Sequence, residues 1–425
     1  MKYRYLGRTG LKVSPLCLGT MQFGDRTDQP TAERMIAIAA EQGVNILDTA
    51  NVYARGRSEE IIGGALWGSR DDWVIATKTR TQATPGPNKG GLSRKQIMES
   101  VEASLRRLQT DYIDILYWHM EDDATSLAEP VRAMADLVRQ GKIRYFGLSN
   151  FRAWRIAEVC RLCDDAGIDR PAVSSPLYNI ANRQVETEVL PVCDFYGVGV
   201  IPYSPLARSV LTGKYVPGQQ PDTESRVGRG DMRVMMNEWR PESVELAVRI
   251  KAYAEARGFT ASQFAVAWVL NNRLVTGVIA GPRTLEQWDD YRAALDYPFT
   301  PEDEEFVNSL VPPGDNLRRG TRTLISRSRA AFPAQRRHAS PVGATKSATV
   351  CGRSRLPRGA DPGTRYSSGE LPDAAFDDQK NRRAVRRDAA CHGAGSASAN
   401  PQGGGCSGIP QPLGRRIYRG PLADV

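Results

Sequence analysis

The chain has 425 residues, of which 41% are hydrophobic and 25% charged, enough for one large domain and further material. Its net charge of +9 would suggest a nucleic-acid or membrane partner, but residues 315–425 alone carry 20 basic and 8 acidic side chains. Residues 1–314 are therefore slightly acidic, and for that part the overall charge points to neither nucleic acid nor membrane.

In chain order, Tyr3 to Val13 reads as a hairpin with its turn at Arg8, Thr9 and Gly10, and 15–20 as a strand. A helix is expected over 31–42, capped by Thr31. Strand and helix then alternate: strand 45–49, helix 58–67, strand 73–78, helix 93–107, strand 113–119, helix 126–139 and strand 142–149. Helix 152–166, strand 172–178, helix 185–196, strand 198–204, helices 242–257 and 261–270, strand 275–280 and helix 284–294 follow. In the 93–107 helix, Ile97, Val101, Leu105 and Leu108 fall on one face. The strands are short continuous apolar runs, as expected when both faces are buried. Eight strand–helix units predict a (β/α)8 TIM barrel rather than an open doubly wound sheet, because the first strand lacks the Gly-x-Gly-x-x-Gly turn.

Three successive strands end in groups that can hold or move a proton. Asp48 closes 44–48, Lys78 closes 73–78, and His119 closes 112–119, with Tyr53 one turn after Asp48. Singly, each has a structural explanation: a capping Asp, a solvated Lys, a core His, a loop Tyr. Together, at one rim of a barrel, they form a reducing site. An ammonium at Lys78, held by Asp48, favours the phenolate of Tyr53 and lets it serve as general acid toward a carbonyl oxygen. His119 then orients that oxygen by hydrogen bond. Proton delivery to a carbonyl oxygen requires hydride at its carbon, so a nicotinamide cofactor is expected.

Asn45–Tyr53, followed by Ser58, Glu59, Glu60 and Gly63, is similar to the first signature of the aldo-keto reductases. Residues 1 to about 314 resemble that family throughout, nearer its bacterial reductases and potassium-channel β subunits than the mammalian aldose reductases. The resemblance implies Tyr53, Asp48, Lys78 and His119 as catalytic residues. It also implies cofactor contacts from Gly19, Thr20 and Met21, and from Ser149 and Asn150 to the nicotinamide carboxamide. Tyr203 is expected to stack on the ring, with Ser204, Leu206, Arg208 and Lys214 in the pyrophosphate loop. Gly281, Arg283 and Gln287 resemble the adenosine-phosphate segment, and Arg283 favours NADPH (NADP+) over NADH. Three positions depart from the family pattern: Ser175 replaces a glutamine, Ser209 a glycine and Tyr291 an asparagine.

The expected activity is NADPH-dependent reduction of an aldehyde or ketone carbonyl to an alcohol, in the class EC 1.1.1.-. A cofactor-sensing regulatory or binding protein on the same scaffold is the competing reading. Cys160 and Cys163 have Cys-x-x-Cys spacing but fall on a helix face, and no histidine–carboxylate cluster suggests a metal. The opening residues lack an apolar signal core and no apolar run reaches membrane length. With sparse cysteines this predicts a cytoplasmic protein whose partner is a small carbonyl compound, with no nucleic acid or membrane partner. Residues 205–241 form a long excursion after the seventh barrel strand. Residues 315–425, rich in Arg, Ala, Gly and Ser, read as a non-homologous disordered tail, consistent with a shifted reading frame.

Overall fold

The computed structural model describes residues 1–81 and 85–316. The expectations for the tail from 317 onward lie outside the described residues.

Strands β1 (Arg4–Tyr5) and β2 (Lys12–Val13) pair antiparallel as the expected hairpin. The alternation begins with β3 (Leu16–Gly19), α1 (Gln29–Glu41), β4 (Ile46–Asp48), α2 (Arg57–Ala65), β5 (Val74–Thr79) and α3 (Arg94–Leu108). It continues with β6 (Ile113–Trp118), α4 (Ala128–Arg139), β7 (Ile143–Ser149), α5 (Ala153–Asp165), β8 (Val173–Ser175) and α6 (Val189–Tyr196). Strand β9 (Gly199–Val200), α7 (Met232–Asn237), α8 (Pro241–Glu255), α9 (Ala261–Asn271), β10 (Val278–Ala280), α10 (Leu285–Ala293) and α11 (Pro301–Leu310) complete it.

Strands β3 to β10 form one parallel eight-stranded sheet in the order β10-β3-β4-β5-β6-β7-β8-β9. Backbone bonds from Thr276 N to Val200 O (2.8 Å) and from Ile279 N to Pro202 O (2.9 Å) join its two edges. The sheet is thus closed as the (β/α)8 barrel that the alternation predicts.

Alternate residues separate two apolar layers. Cys17, Ile46, Ala76, Ile115, Tyr117, Val173, Ile201 and Ile279 pack together inside the barrel. Leu18, Leu47, Ile75, Leu116, Trp118, Phe146 and Leu148 face outward into the helical shell. That shell includes Ile97, Val101, Leu105 and Leu108 of α3, all buried as expected, each stabilising by about 1.5–3 kcal/mol. Leu6 and Val13 of the hairpin join the interior cluster and plug the N-terminal mouth. The plug needs glycine on both sides: Gly7 has φ +58, and a Cβ on Gly199 would lie 2.7 Å from the Gly7 nitrogen. The mouth at the C-terminal strand ends is not covered by this hairpin.

Several boundaries differ from expectation. Helix α1 starts at Gln29 because Asp28, not Thr31, is the cap; its carboxylate accepts from the Thr31 nitrogen. The expected strand 172–178 stops at Ser175 and the strand 198–204 at Val200, since Pro176 and Pro202 lack an N–H for the ladder. The expected helix 185–196 divides into a 3₁₀ turn, Gln184–Glu186, and α6. The 205–241 excursion contains a 3₁₀ segment, Ala207–Thr212, and α7. Helix α11 was not anticipated, although Thr300 and Asp303 form a capping box around Pro301.

Candidate active site

The same alternation that fills the barrel also builds its upper rim. Two residues beyond the interior positions Cys17, Ile46, Ala76, Tyr117, Val173, Ile201 and Ile279 stand Gly19, Asp48, Lys78, His119, Ser175, Tyr203 and Gly281. Ser149 stands two beyond Gly147, where a Cβ would meet the interior Tyr117 ring at 2.7 Å. Eight of the expected residues therefore form one inward layer at the C-terminal end.

Lys78 is the charged centre of this layer. Its ammonium donates to Asp48 Oδ1 at 2.6 Å and to the Thr49 carbonyl at 2.7 Å, and both side chains of the ion pair are buried. It also lies 5.0 Å from the Tyr53 ring centroid and 5.8 Å from that of Tyr117. Burial alone would lower the Lys78 pKa, but Asp48 and Tyr53 outweigh it and hold the ammonium above its ordinary value. Burial raises Asp48 against the pull of Lys78.

Tyr53 corrects one expectation. Burial raises its pKa by more than Lys78 lowers it, so the resting phenol is held above its ordinary value rather than below it. The lysine moderates a rise caused by desolvation. Tyr53 is therefore protonated at neutral pH. After it, Ala54 and Arg55 take left-handed backbone (φ 46 and 57) and Gly56 reaches φ +96, turning the chain sharply into α2.

The His119 ring stands edge-on to Tyr53, centroids 6.0 Å apart. Its backbone nitrogen donates to the Thr79 carbonyl (3.1 Å), its carbonyl accepts from Asn150 (2.9 Å), and Nδ1 lies 3.4 Å from Thr81 Oγ1. Burial, then the charges of Lys78, Arg233 and Arg80, push its pKa down to about 3. Between pH 6.5 and about 3 the unfolded chain binds a proton at this imidazole and the folded chain does not. His119 should therefore make the fold less stable as pH falls through that window. Urea midpoints at pH 7 and pH 5 should drop more for wild type than for His119→Asn; equal drops would contradict a neutral His119.

On the other side of the rim, the Tyr203 hydroxyl donates to Asn150 Oδ1 at 2.6 Å, and Asn150 Nδ2 reaches Ser149 Oγ at 3.1 Å. Ser149 Oγ donates to the Ser175 carbonyl (3.0 Å). Ser204, Ala207, Arg208 and Ser209 all have positive φ (57, 45, 53 and 79), a concentration of backbone strain typical of a ligand loop. Asn179 steadies that loop by donating to the Ser204 carbonyl (3.1 Å). Leu206 is buried beneath it, and Lys214 is exposed with its ammonium over the Tyr215 ring. Met21 meets a guanidinium nitrogen of Arg233 at 3.6 Å.

Thr20 has a structural task. Its hydroxyl bonds to the Asp48 carbonyl (3.0 Å) and Ser58 Oγ (2.8 Å), tying the end of β4 to α2. Ser58 also contacts Thr49 Oγ1 at 3.0 Å, and buried Glu59 accepts from Thr77 (2.6 Å) and Arg107 (2.7 Å). No sequence pattern marks these supports by itself, although Ser58 and Glu59 belong to the segment that carries the family resemblance.

A third cluster surrounds Arg283. Its backbone nitrogen donates to Gln287 Oε1 (2.9 Å), its carbonyl accepts from Thr27 (3.0 Å), and Thr284 caps α10 through the Gln287 nitrogen. Burial and the nearby guanidiniums of Arg229, Arg26 and Arg226 lower the Arg283 pKa. Arg226 is paired with Asp231 at 2.9 Å, so Arg283, next to the Thr284 cap of α10, is the guanidinium at this helix start that could meet an anion.

The residues fit a dinucleotide lying across this rim. Buried Ser175 Oγ, Arg208 Nε and Asp48 Oδ2 have no hydrogen-bond partner among the described residues, and nothing lies within 4 Å of a Cβ built on Gly281. Among the described residues no group of three His, Cys, Asp or Glu side chains could hold a metal ion. Cys160 and Cys163 are buried on α5, their thiols pushed up to about 12 by burial. No described helix is long and apolar enough to cross a membrane.

The model of the Aldo/keto reductase family matches residues 15–311. The chain belongs to the aldo/keto reductase family. It is 40% identical over 303 residues to a probable voltage-gated potassium channel subunit beta of Arabidopsis thaliana, covering 70% of this chain and 92% of that protein. It is 37% identical over 320 residues to a similarly described protein of Oryza sativa, covering 73% and 97%. An uncharacterized oxidoreductase of Bacillus subtilis is 35% identical over 323 residues, covering 73% and 96%. The family match thus spans the whole barrel, from β3 to the end of α11.

Proposed function

We propose that this aldo/keto reductase is an NADPH-dependent enzyme reducing the carbonyl of an aldehyde or ketone to an alcohol. The observation that carries this reading is the buried Lys78–Asp48 ion pair at 2.6 Å, set between a protonated Tyr53 and a neutral His119 on one rim. NADPH held along this rim would supply the hydride that the carbonyl carbon needs. Tyr53 gives its phenolic proton to the carbonyl oxygen, and the adjacent Lys78 ammonium stabilises the phenolate left behind. Asp48 keeps Lys78 in place and charged. With Nδ1 of His119 facing Thr81, Nε2 is the nitrogen left to donate to the substrate oxygen, and the neutral ring does so without competing for the proton.

Ser149, Asn150 and Ser175 would hold the carboxamide and Tyr203 one face of the ring. Gly19 and Met21 would border the nicotinamide end, and Ser204, Leu206, Arg208 and Lys214 would line the pyrophosphate. Gly281, Arg283 and Gln287 would hold the adenosine end. Arg283 beside the Thr284 cap of α10 supports NADPH over NADH, because its guanidinium is placed to meet a 2′-phosphate. Arg283→Ala should raise KM for NADPH about 10–100-fold, the loss of a charge-assisted hydrogen bond, and move KM for NADH far less. Equal effects on both cofactors would contradict the 2′-phosphate assignment.

Steady-state NADPH consumption with a panel of aldehydes tests the reductase reading. The second reading, a cofactor-sensing regulatory protein, is favoured by the two plant relatives described as potassium channel β subunits. It predicts tight NADPH binding and negligible consumption with every aldehyde.

A further inference from the structure

Two arginines beside the proton-handling groups take no part in the mechanism above. Arg80 follows β5, two residues after Lys78, and adopts φ 93, a left-handed backbone that costs a non-glycine residue about 1–3 kcal/mol. Among the described residues its Nε is buried without a partner, and one terminal nitrogen donates to the Met120 sulfur at 2.9 Å. Arg233, on α7 of the long excursion, is exposed and reaches the Met21 sulfur at 3.6 Å. Among the described residues neither guanidinium forms an ion pair, whereas Arg70, Arg107, Arg155 and Arg183 all do.

A thioether is a weak acceptor, so both forks keep most of their hydrogen-bonding capacity for something else. Arg80 approaches the site from the β5 rim, next to the Thr79 carbonyl that binds the His119 nitrogen. Arg233 approaches from the excursion, over Met21 at the end of β3. Met120 directly follows His119 and Met21 lies two residues past Gly19, so the two sulfur contacts bring Arg80 and Arg233 to the rim on which His119 stands. The charge of Arg80 also acts on the Asp122 carboxylate, but a strained, half-buried arginine at that rim, whose guanidinium has a sulfur as its one hydrogen-bond partner among the described residues, is arranged for an oxyanion. Planar carboxylate or phosphate oxygens match the guanidinium fork.

We propose that the substrate is a carbonyl compound carrying a carboxylate or phosphate group, with Arg80 binding that anion beside His119 and Arg233 completing its contacts from the excursion. The inference rests on the reductase reading and adds the substrate class. It makes Arg80 and Arg233 specificity-determining residues, distinct from the groups that move the proton.

The test compares kcat/KM for 4-carboxybenzaldehyde, 4-formylphenyl phosphate and the methyl ester of the first, with NADPH. Wild type should favour at least one anion over the neutral ester by about 10–100-fold, the scale of one or two charge-assisted hydrogen bonds. The favoured anion distinguishes carboxylate from phosphate. Arg80→Gln should collapse that preference ratio mainly through KM, Arg80→Lys should retain part of it, and Arg233→Gln should reduce it independently. A ratio near one in wild type, with the ester turned over, overturns this inference and leaves the reductase reading standing. A preference that survives both glutamine variants also overturns it. No turnover of any of the three compounds sinks both.

Discussion

Tyr53→Phe should lower kcat for aldehyde reduction by about 10²–10⁴-fold, the usual contribution of a positioned general acid, while NADPH affinity stays within a few-fold of wild type. Only one oxygen is removed, and the ring that packs edge-on to His119 and lies 5.0 Å from the Lys78 ammonium remains. Fluorescence titration with NADPH separates binding from chemistry, and single-turnover mixing reads the chemical step. The phenol is held above its ordinary pKa by burial, so wild-type kcat should stay flat through neutral pH and fall only when alkali removes the proton. Activity retained in Tyr53→Phe would move the acid role elsewhere, with His119 the obvious candidate. A His119 pKa of about 3 makes it a poor proton donor at neutral pH, which is why the phenol is assigned that task.

Lys78→Met should have the largest effect on stability. The side chains of Lys78 and Asp48 are only 3% and 4% exposed, so removing the ammonium leaves a carboxylate buried without its counter-charge. Breaking a buried pair from one side costs about 3–5 kcal/mol, visible as a lowered urea midpoint. The double variant Lys78→Met, Asp48→Asn removes both charges and should recover much of that loss while remaining inactive. This pattern separates the two tasks of the pair, holding the rim together and tuning Tyr53. A single variant that unfolds at the wild-type midpoint would contradict a desolvated ion pair, and an active double variant would remove Lys78 from the chemistry.

Much of this site was legible because period-two alternation carries through the strand ends. Ile46 and Asp48, Ala76 and Lys78, and Ile201 and Tyr203 each share one parity, so an apolar interior residue announces the direction of the polar residue two positions later. The barrel itself was readable from eight apolar runs, since strands covered on both faces carry few polar interruptions. The chain boundaries were less so. Pro176 and Pro202 shortened two strands although the apolar pattern runs past them, and the Asp28 cap extended α1 backward through Pro30. The net proton affinity of Tyr53 was out of reach, because it depends on how much water the folded rim excludes. Arg80 lies just past the residue at which the expected strand ended, and Arg233 is 153 positions further along the chain. Their convergence is a product of the tertiary fold alone. The capping box at Thr300 and Asp303 was written plainly enough to have marked α11.

In the proposed reaction Tyr53 protonates a carbonyl oxygen at the barrel rim, supported by Lys78, Asp48 and His119, while the carbonyl carbon takes hydride from NADPH. Single-turnover mixing of the protein bearing NADPH deuterated at the transferable C4 position with excess aromatic aldehyde, followed by mass analysis of the product, tests it most directly. The account predicts an alcohol carrying deuterium on the former carbonyl carbon, formed at a rate that Tyr53→Phe lowers by about 10²–10⁴-fold. Bound cofactor that stays reduced, with no deuterated alcohol from any aldehyde tried, would contradict it.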